Sequence, residues 1–442
     1  MIERLKNFGW LGAEESVRLG LGFVFTLLLA NHLGTGQFGA YGYIFGFVIL
    51  FTPFIAFGLD PLITKHSVEQ PDRLGAIFQA AILLRCLAAL LAFAVLFALM
   101  AVLPMPQGTS LRLTAIAAIT ILVIPALTSN VIFKALEMVR IVAIPRLIIT
   151  LIATGTAIAF VLQGRGLEDF IWVRALEAIA MAIAALLAFV IIRPSNLSFA
   201  PAFDFQLAKS FVKNGFPLML SGLAGLIYMR IDQVMIGQLS GVDELGRYTV
   251  AVRFSDAALF VPMALQAAFF PALVRASKAD KASYRQELRS FFDIMSLAMW
   301  AVCAAVIAGG SLAIYLLLDP AYSSSTAMLA ILALGLPLCG LGVARSCHLT
   351  IRGWFWTSSV MTGVGAAANI ALNFVLIPSF GGIGAAIASL LSYWLAVHGM
   401  CYVLHWTRDL GHEVLRALNP VAAAMRLFTL YRSKPGAEVI DG

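Results

Sequence analysis

Arg18, Arg85, Arg174, Arg230 and Arg253 each interrupt a long apolar stretch, and Glu177, Asp232 and Asp256 do the same. An ionised group at bilayer depth costs at least ~2.5 to 3.5 kcal/mol, so such side chains face a bundle interior or a watery cavity. Guanidinium groups donate in a fixed planar fork, keep their charge when partly dehydrated and match the oxygens of a phosphate or diphosphate. Helical spacing sets acids beside some of them: Glu14 with Arg18 at i,i+4, and Arg174 with Glu177 and Arg253 with Asp256 at i,i+3. For the last two pairs two readings stand, structural ties between helices or gating and cation sites. Arg85 has no carboxylate within a turn, only Gln79 and Cys86 nearby. Its counter-anion is therefore either a carboxylate from another helix or a phosphate. Asp232 shares a polar or small stripe with Ser221, Gly225 and Tyr228, whereas Arg230 lies on another side with Gln233 and Gly237 and can snorkel outward.

Other chemistry finds little support. The six histidines form no H-E-x-x-H or other ligand spacing, and the five cysteines are scattered, with no C-x-x-C, so neither a metal site nor a cofactor is expected. The glycines at 381, 382 and 384 follow no strand and precede no Lys-Ser/Thr, which leaves close helix packing as their use. The formal charge of +7 is not gathered into a basic stripe interleaved with aromatics, so no nucleic acid is expected. An enzyme acting on lipid-linked sugars needs carboxylates in an outer loop. The first outer connection, Gly34-Thr35-Gly36-Gln37, has none.

The elements that must position these charges follow from composition. The 442 residues are 61% hydrophobic and 12% charged, which excludes a soluble protein. Apolar windows predict an all-α membrane protein of twelve transmembrane helices, near 12–33, 39–60, 76–104, 112–133, 141–163, 169–192, 215–238, 246–272, 290–318, 324–346, 355–378 and 382–405. At one set of helix ends only Arg112, Arg165 and Arg247 occur, while Lys and Arg crowd the other set, so both termini are expected in the cytoplasm. Arg18 and Arg85 then fall in the inner half of their helices, and Arg230, Arg253 and Asp256 in the outer half.

The chain also repeats itself. Phe38-Gly39-Ala40-Tyr41 and Leu245-Gly246-Arg247-Tyr248 are offset by 207, and Phe160-Val161-Leu162 and Phe374-Val375-Leu376 by 214. A duplicated unit of about 200 residues with an even number of crossings gives two parallel six-helix repeats around a central cavity. The expected division is an N-terminal lobe over 1–198, a C-terminal lobe over 199–405 and a cytoplasmic amphipathic tail over 406–442. That tail is expected to lie at the inner surface, broken near Pro420, with its basic residues toward lipid headgroups.

The run Arg230-Ile231-Asp232-Gln233-Val234-Met235-Ile236-Gly237, with Gly246-Arg247-Tyr248 and Arg253-Phe254-Ser255-Asp256, resembles helices 7 and 8 of bacterial polysaccharide flippases. Asn369 to Phe374, Ile377-Pro378 and Gly381 to Ala388 are similar to the same family's helix 11 to 12 region, and Leu33-Gly34 with Phe38 to Tyr41 fits as well. The resemblance implies the multidrug/oligosaccharidyl-lipid/polysaccharide flippase fold and, with twelve spans rather than fourteen, the O-antigen or exopolysaccharide branch. It implies a transporter in the bacterial inner membrane that carries undecaprenyl-diphosphate-linked oligosaccharide between leaflets by alternating access. Expected partners are that lipid and the membrane lipids, with glycan polymerase or glycosyltransferase proteins as further candidates. On that reading Arg18, Arg85, Arg253 and Arg230 bind the diphosphate, and Asp232, Asp256, Arg174 and Glu177 gate or hold a cation. A cation-coupled multidrug antiporter of the same superfamily is the alternative.

Overall fold

A computed structural model describes residues 2–192 and 203–432, and every regular element among them is a helix. The helices are α1 (Ile2–Ile49), α2 (Thr52–Ala56), α3 (Leu59–Glu69), α4 (Leu74–Val102), α5 (Leu111–Leu122), α6 (Thr128–Ala135), α7 (Val139–Leu162), α8 (Leu167–Ile192) and α9 (Phe205–Leu239). There follow α10 (Val242–Ala258), α11 (Phe260–Ala279), α12 (Lys281–Ala305), α13 (Ser311–Leu317), α14 (Ser325–Leu334), α15 (Leu336–Ile351), α16 (Phe355–Trp394), α17 (Met400–Val403), α18 (Arg408–Leu418) and α19 (Pro420–Arg432).

Ten helical segments among the described residues are long and apolar enough to cross a membrane. This is a multi-span membrane protein. The sequence predicts twelve separate spans, and the difference lies in two segments of 50 and 49 residues, Gly20–Glu69 and Phe355–Val403. At 1.5 Å per residue each is ~75 Å long, more than twice a ~30 Å hydrocarbon core. Each is also broken inside. Gly34 has φ 68° and Gly381 has φ 55°, left-handed values that a side chain tolerates poorly, so α1 and α16 each run as two arms about a glycine. Pro125 interrupts the span Leu111–Ala135 between α5 and α6, where the chain tightens to a 3-10 turn.

Contacts divide the chain into two compact units, Met1–Gly246 and Arg247–Gly442. In the first, α1 packs on α7 and α9, and α8 on α5 and α7. Its core gathers Leu59, Ile63, Ile77, Phe133, Phe189 and Phe211. In the second, α12 packs on α11 and α15, and α14 on α16. Phe291, Phe292, Met295, Met299, Leu341 and Met361 form its centre. Side chains within each unit that are apolar yet exposed, such as Leu91 and Ile152, lie on these long helices and suit acyl chains rather than water.

Helix ends run past the apolar windows. The helix predicted over 215–238 begins at Phe205, capped by the Asp204 carboxylate, which accepts from Leu207 N at 2.9 Å. The one predicted to start at 290 begins at Lys281, capped by Asp280, which accepts from the Ala282 and Ser283 amides at 2.8 Å. Both carboxyls are held below the usual aspartate value, Asp204 first by the Leu207 amide and Asp280 first by the Ser283 hydroxyl. Hydropathy reports where lipid ends, not where backbone hydrogen bonding does.

The tail departs from its expected setting. It is helical and broken at Pro420, as the sequence predicts, but α18 buries Leu410, Gly411, Val414 and Ala417 against protein. Arg416 and Arg426 do not point to headgroups. Both close on Asp293 of α12, a residue 1% exposed, at 3.2 and 2.7 Å, while Glu413 pairs with Arg289 at 2.7 Å.

Candidate functional site

The break in the second apolar segment builds the first charged node. Helix α2 ends at Ala56, Phe57 and Gly58 turn through left-handed conformations, and α3 restarts with Asp60 in its first turn. That turn leaves the Ala56 carbonyl without an in-helix donor and aims Asp60 at α4. Arg85, on α4, is 2% exposed and fills the angle between these elements. One Nη pairs with the Asp60 carboxylate and lies 3.5 Å from the Ala56 carbonyl; the other donates to Thr128 Oγ1 of α6 at 3.0 Å. Its buried Nε has no acceptor among the described residues. Asp60 is 62% exposed at its side chain, so the pair joins a sealed guanidinium to an open carboxylate. Of the two counter-anions left open by the sequence, the structure supplies the carboxylate.

A second node ties α7 to α8. Arg174 pairs with Glu177 on one face of α8, as the spacing predicts, and Thr150 of α7 donates to Glu177 Oε1 at 3.2 Å. Glu177 is 10% exposed and Arg174 46%, the geometry of a tie between helices.

The remaining predicted residues spread over both units. Arg18 is half-buried on the first arm of α1, and Glu14, its expected partner, has its side chain outside the described residues. On α9, Arg230 is half-buried, whereas Asp232 is 6% exposed and accepts from the Gln233 amide at 2.8 Å. In the second unit, Arg253 is exposed and Asp256 half-buried on α10. Among the described residues no three His, Cys, Asp or Glu side chains group closely enough to hold a metal ion.

Other polar sites escape sequence reasoning. Arg345, 4% exposed, donates to the carbonyls of Ala396 and Val397. The π-helical turn Leu395–Gly399 widens the backbone ladder there and turns those carbonyls toward it. Asn369 donates to Ser389 and Ser392 at 3.4 and 3.3 Å and accepts from Asn373 at 3.0 Å, a fully buried network that binds the two arms of α16 across the Gly381 break. Two asparagines four apart on one predicted helix were the available signal, since in lipid each needs an internal partner.

Near the Gly34 break, Gly39 and Gly246 face one another. A Cβ on Gly39 would overlap the Val242 carbonyl, and one on Gly246 would overlap the Thr35 carbonyl. Thr35 Oγ1 donates to Asp243 Oδ1 at 2.6 Å beside this crossing.

Comparison with known proteins adds the following. Residues 4–277, more than half of the chain, match the family described as "Polysaccharide biosynthesis protein". The chain is 28% identical over 167 residues to the EPS I polysaccharide export inner membrane protein EpsE of Ralstonia nicotianae, covering 37% of this chain and 38% of that one. It is 27% identical over 246 residues to the probable flippase AglR of Haloferax volcanii, covering 50% and 48%. The chain thus spans half or less of the length of these curated relatives. Among solved structures, the lipid II flippase MurJ in an inward closed conformation superposes with a TM-score of 0.67 at 15% identity, covering 96% of this chain and 92% of that one. An inward-facing multidrug resistance transporter of the MATE family gives 0.67 at 13% identity, covering 94% and 96%. At such identities the likeness is one of fold. The family match, over helices that carry Arg85, Arg174 and the Gly39–Gly246 crossing, places this chain in the polysaccharide biosynthesis protein family.

Proposed function

We propose that this protein moves an undecaprenyl-diphosphate-linked oligosaccharide from the cytoplasmic to the periplasmic leaflet of a bacterial inner membrane, for surface polysaccharide biosynthesis. The observation that carries the reading is Arg85, a sealed guanidinium in an apolar bundle whose Nε has no protein acceptor among the described residues. On this proposal Asp60 holds the fork of Arg85 until a diphosphate, a stronger bidentate acceptor, competes for it. Arg18 joins Arg85 in receiving the headgroup, and Arg230 and Arg253 meet it on the outward side. Asp232, Asp256, Arg174 and Glu177 serve as gating or cation sites.

The proposed architecture has twelve crossings, each arm of the segments broken at Gly34 and Gly381 crossing once, with both termini cytoplasmic. Lobes 1–198 and 199–405 rock about a central cavity, and the reciprocal Gly39–Gly246 contact supports their origin as a repeat. The function is transport and not bond chemistry, so the work is electrostatic. Moving about two negative charges outward through a potential negative inside gains ~4.6 kcal/mol per 100 mV, which favours export without a coupled ion. Glycan polymerase and glycosyltransferase proteins are the proposed neighbours in the pathway.

Deletion followed by leaflet-resolved analysis of lipid-linked glycan tests the reading: glycan accumulates in the cytoplasmic leaflet if it holds, and unchanged glycan removes it. Transport by purified protein that is indifferent to Arg18→Ala with Arg85→Ala removes the binding site. A cation-coupled multidrug antiporter is the second reading, favoured by the MATE-like fold and by Asp232, a carboxylate 6% exposed. Drug sensitivity on deletion with surface glycan intact would select it.

A further inference from the structure

The tail helices α18 and α19 are too short to cross a membrane, yet their placement against α12 is not that of a surface appendage. Trp300 Nε1 donates to the Leu418 carbonyl at 2.9 Å, and Arg426 grips Asp293 through Nε and Nη2 at 3.1 and 2.7 Å. Asp293 and Trp300 are seven residues apart on α12, and Asn419 and Arg426 are seven apart at and beyond the start of α19. Both separations are ~10 Å along a helix, so α19 runs antiparallel beside α12. The turn between α18 and α19 therefore reaches the level of Trp300, inside the apolar part of a membrane-spanning segment.

The turn meets much of its own backbone hydrogen bonding, with Asn419 exposed at its tip. Pro420 has no N–H to satisfy, the Asn419 side chain accepts from the Ala422 amide at 3.1 Å, and the Asn419 carbonyl accepts from Ala423 N at 3.0 Å. Trp300 satisfies the Leu418 carbonyl, which water would serve at an ordinary surface. Satisfying every backbone group internally is the condition hydrocarbon imposes. Beyond the turn, the outward positions of α19 are Val421, Ala424, Met425, Phe428 and Thr429, at i, i+3, i+4, i+7 and i+8. Val421, Met425 and Phe428 are 67%, 61% and 58% exposed. The one hydroxyl on this face, Thr429, donates to the Met425 carbonyl at 2.9 Å. Arg416 and Arg426 instead turn inward onto Asp293 and Glu413.

We infer that α18 and α19 form a helical hairpin that dips part-way into the bilayer, its outward α19 stripe lying against acyl chains and Arg416 and Arg426 neutralised on Asp293 of α12. The inference rests on the membrane location alone and not on the proposed cargo.

Spin labels test it on the full chain in vesicles of phosphatidylethanolamine and phosphatidylglycerol. Labels go at Val421→Cys, Met425→Cys and Phe428→Cys, in a background with Cys86→Ser and Cys339→Ser. Leu91→Cys, on the exposed face of α4, supplies the lipid reference and Asp72→Cys, in a connection, the aqueous one. The expected result is collision with oxygen favoured over a water-soluble nickel chelate at all three sites, with apparent depth falling by ~10 Å from Val421 to Phe428. Values like those at Asp72 would overturn it. So would exclusion of both reagents, which would mean that protein, such as a second copy, covers the face. Trp300→Phe keeps the ring and removes the donor, and should shift the Val421 label toward water. No shift would mean that water already serves the Leu418 carbonyl, and would overturn the inference as well.

Discussion

Gly39 and Gly246 meet backbone to backbone, and their contact is reciprocal. Gly39 lies against the Val242 carbonyl and Gly246 against the Thr35 carbonyl, and both Thr35 with Val242 and Gly39 with Gly246 are related by the same offset of 207 residues. The helix that restarts after Gly34 and the one that starts after Gly241 therefore cross through equivalent faces, each with a small or slender residue four positions before its glycine. Close approach of this kind gains dispersion contact where lipid offers no hydrophobic drive between helices.

Gly246→Ala should fail in proportion to that closeness. The added methyl overlaps backbone rather than a flexible side chain, so overpacking at the upper end of the usual range, about 3 kcal/mol, is expected. Gly225→Ala, with nothing within 4 Å of its Cβ, is the control and should be neutral. Thermal unfolding in detergent with recovery of monodisperse protein measures both. Equal behaviour of the two variants would contradict the crossing.

The Arg85–Asp60 pair predicts an asymmetry. Removing the acid with Asp60→Ala strands a guanidinium that is 2% exposed, which should cost about 3 kcal/mol. Removing the base with Arg85→Met leaves an exposed carboxylate that water solvates, and a side chain of similar length in an apolar slot, for a cost under about 1.5 kcal/mol. A surface ion pair would show small and equal losses. Chemical denaturation of the two variants side by side distinguishes the cases.

The reasons sequence reading succeeds or stops are visible in these same residues. Long apolar runs fix the helices because backbone in lipid has few other solutions, and the i,i+3 spacing of Arg174 and Glu177 fixes a local pair. The partner of Arg85 is 25 residues away across a helix break, and spacing says nothing of which acid a break will aim inward. The tail shows the same limit. Its amphipathic pattern was legible, but the surface that takes the pattern was not, because Asp293 is more than 120 residues away in sequence. The π turn at Leu395–Gly399 and the carbonyls it offers to Arg345 have no signature at all in residue type.

Asp204 gives a pH prediction. Its folded-state pKa is depressed, chiefly by the Leu207 amide and further by Arg73, so its contribution to stability is present above the ordinary value of 3.8 and is lost as pH falls through the lower folded value. Unfolding temperature should therefore decline below about pH 4 more steeply in the parent than in Asp204→Asn, which still caps α9 but does not titrate. Hydrogen exchange over residues 205–213 should rise in Asp204→Ala at neutral pH and stay low in Asp204→Asn.

The Asp293 clamp yields the last prediction. Asp293 is 1% exposed and receives three hydrogen bonds from Arg416 and Arg426, which burial leaves 27% and 29% exposed at their side chains. Removing the shared carboxylate with Asp293→Asn takes the acid from Arg426 and leaves Arg416 with Glu413 alone, a loss of about 3 kcal/mol concentrated on the tail. The expected consequence is rapid tryptic cleavage after Arg416 and Arg426, sites that are slow in the parent because α18 and α19 are docked. Salt decides whether the clamp acts as a buried pair: 1 M sodium chloride screens exposed charges within ~3 Å and should leave the parent resistant. Hydrogen exchange over residues 408–432 reads the same docking without needing those two sites: replacing all three groups with apolar ones, Asp293→Leu with Arg416→Met and Arg426→Met, should restore the protection that Asp293→Asn loses, because what a buried ion cluster cannot tolerate is the loss of one member. If the triple variant exchanges there as fast as Asp293→Asn, the arginines contribute attraction that packing does not replace, and the docking of the tail is electrostatic in origin.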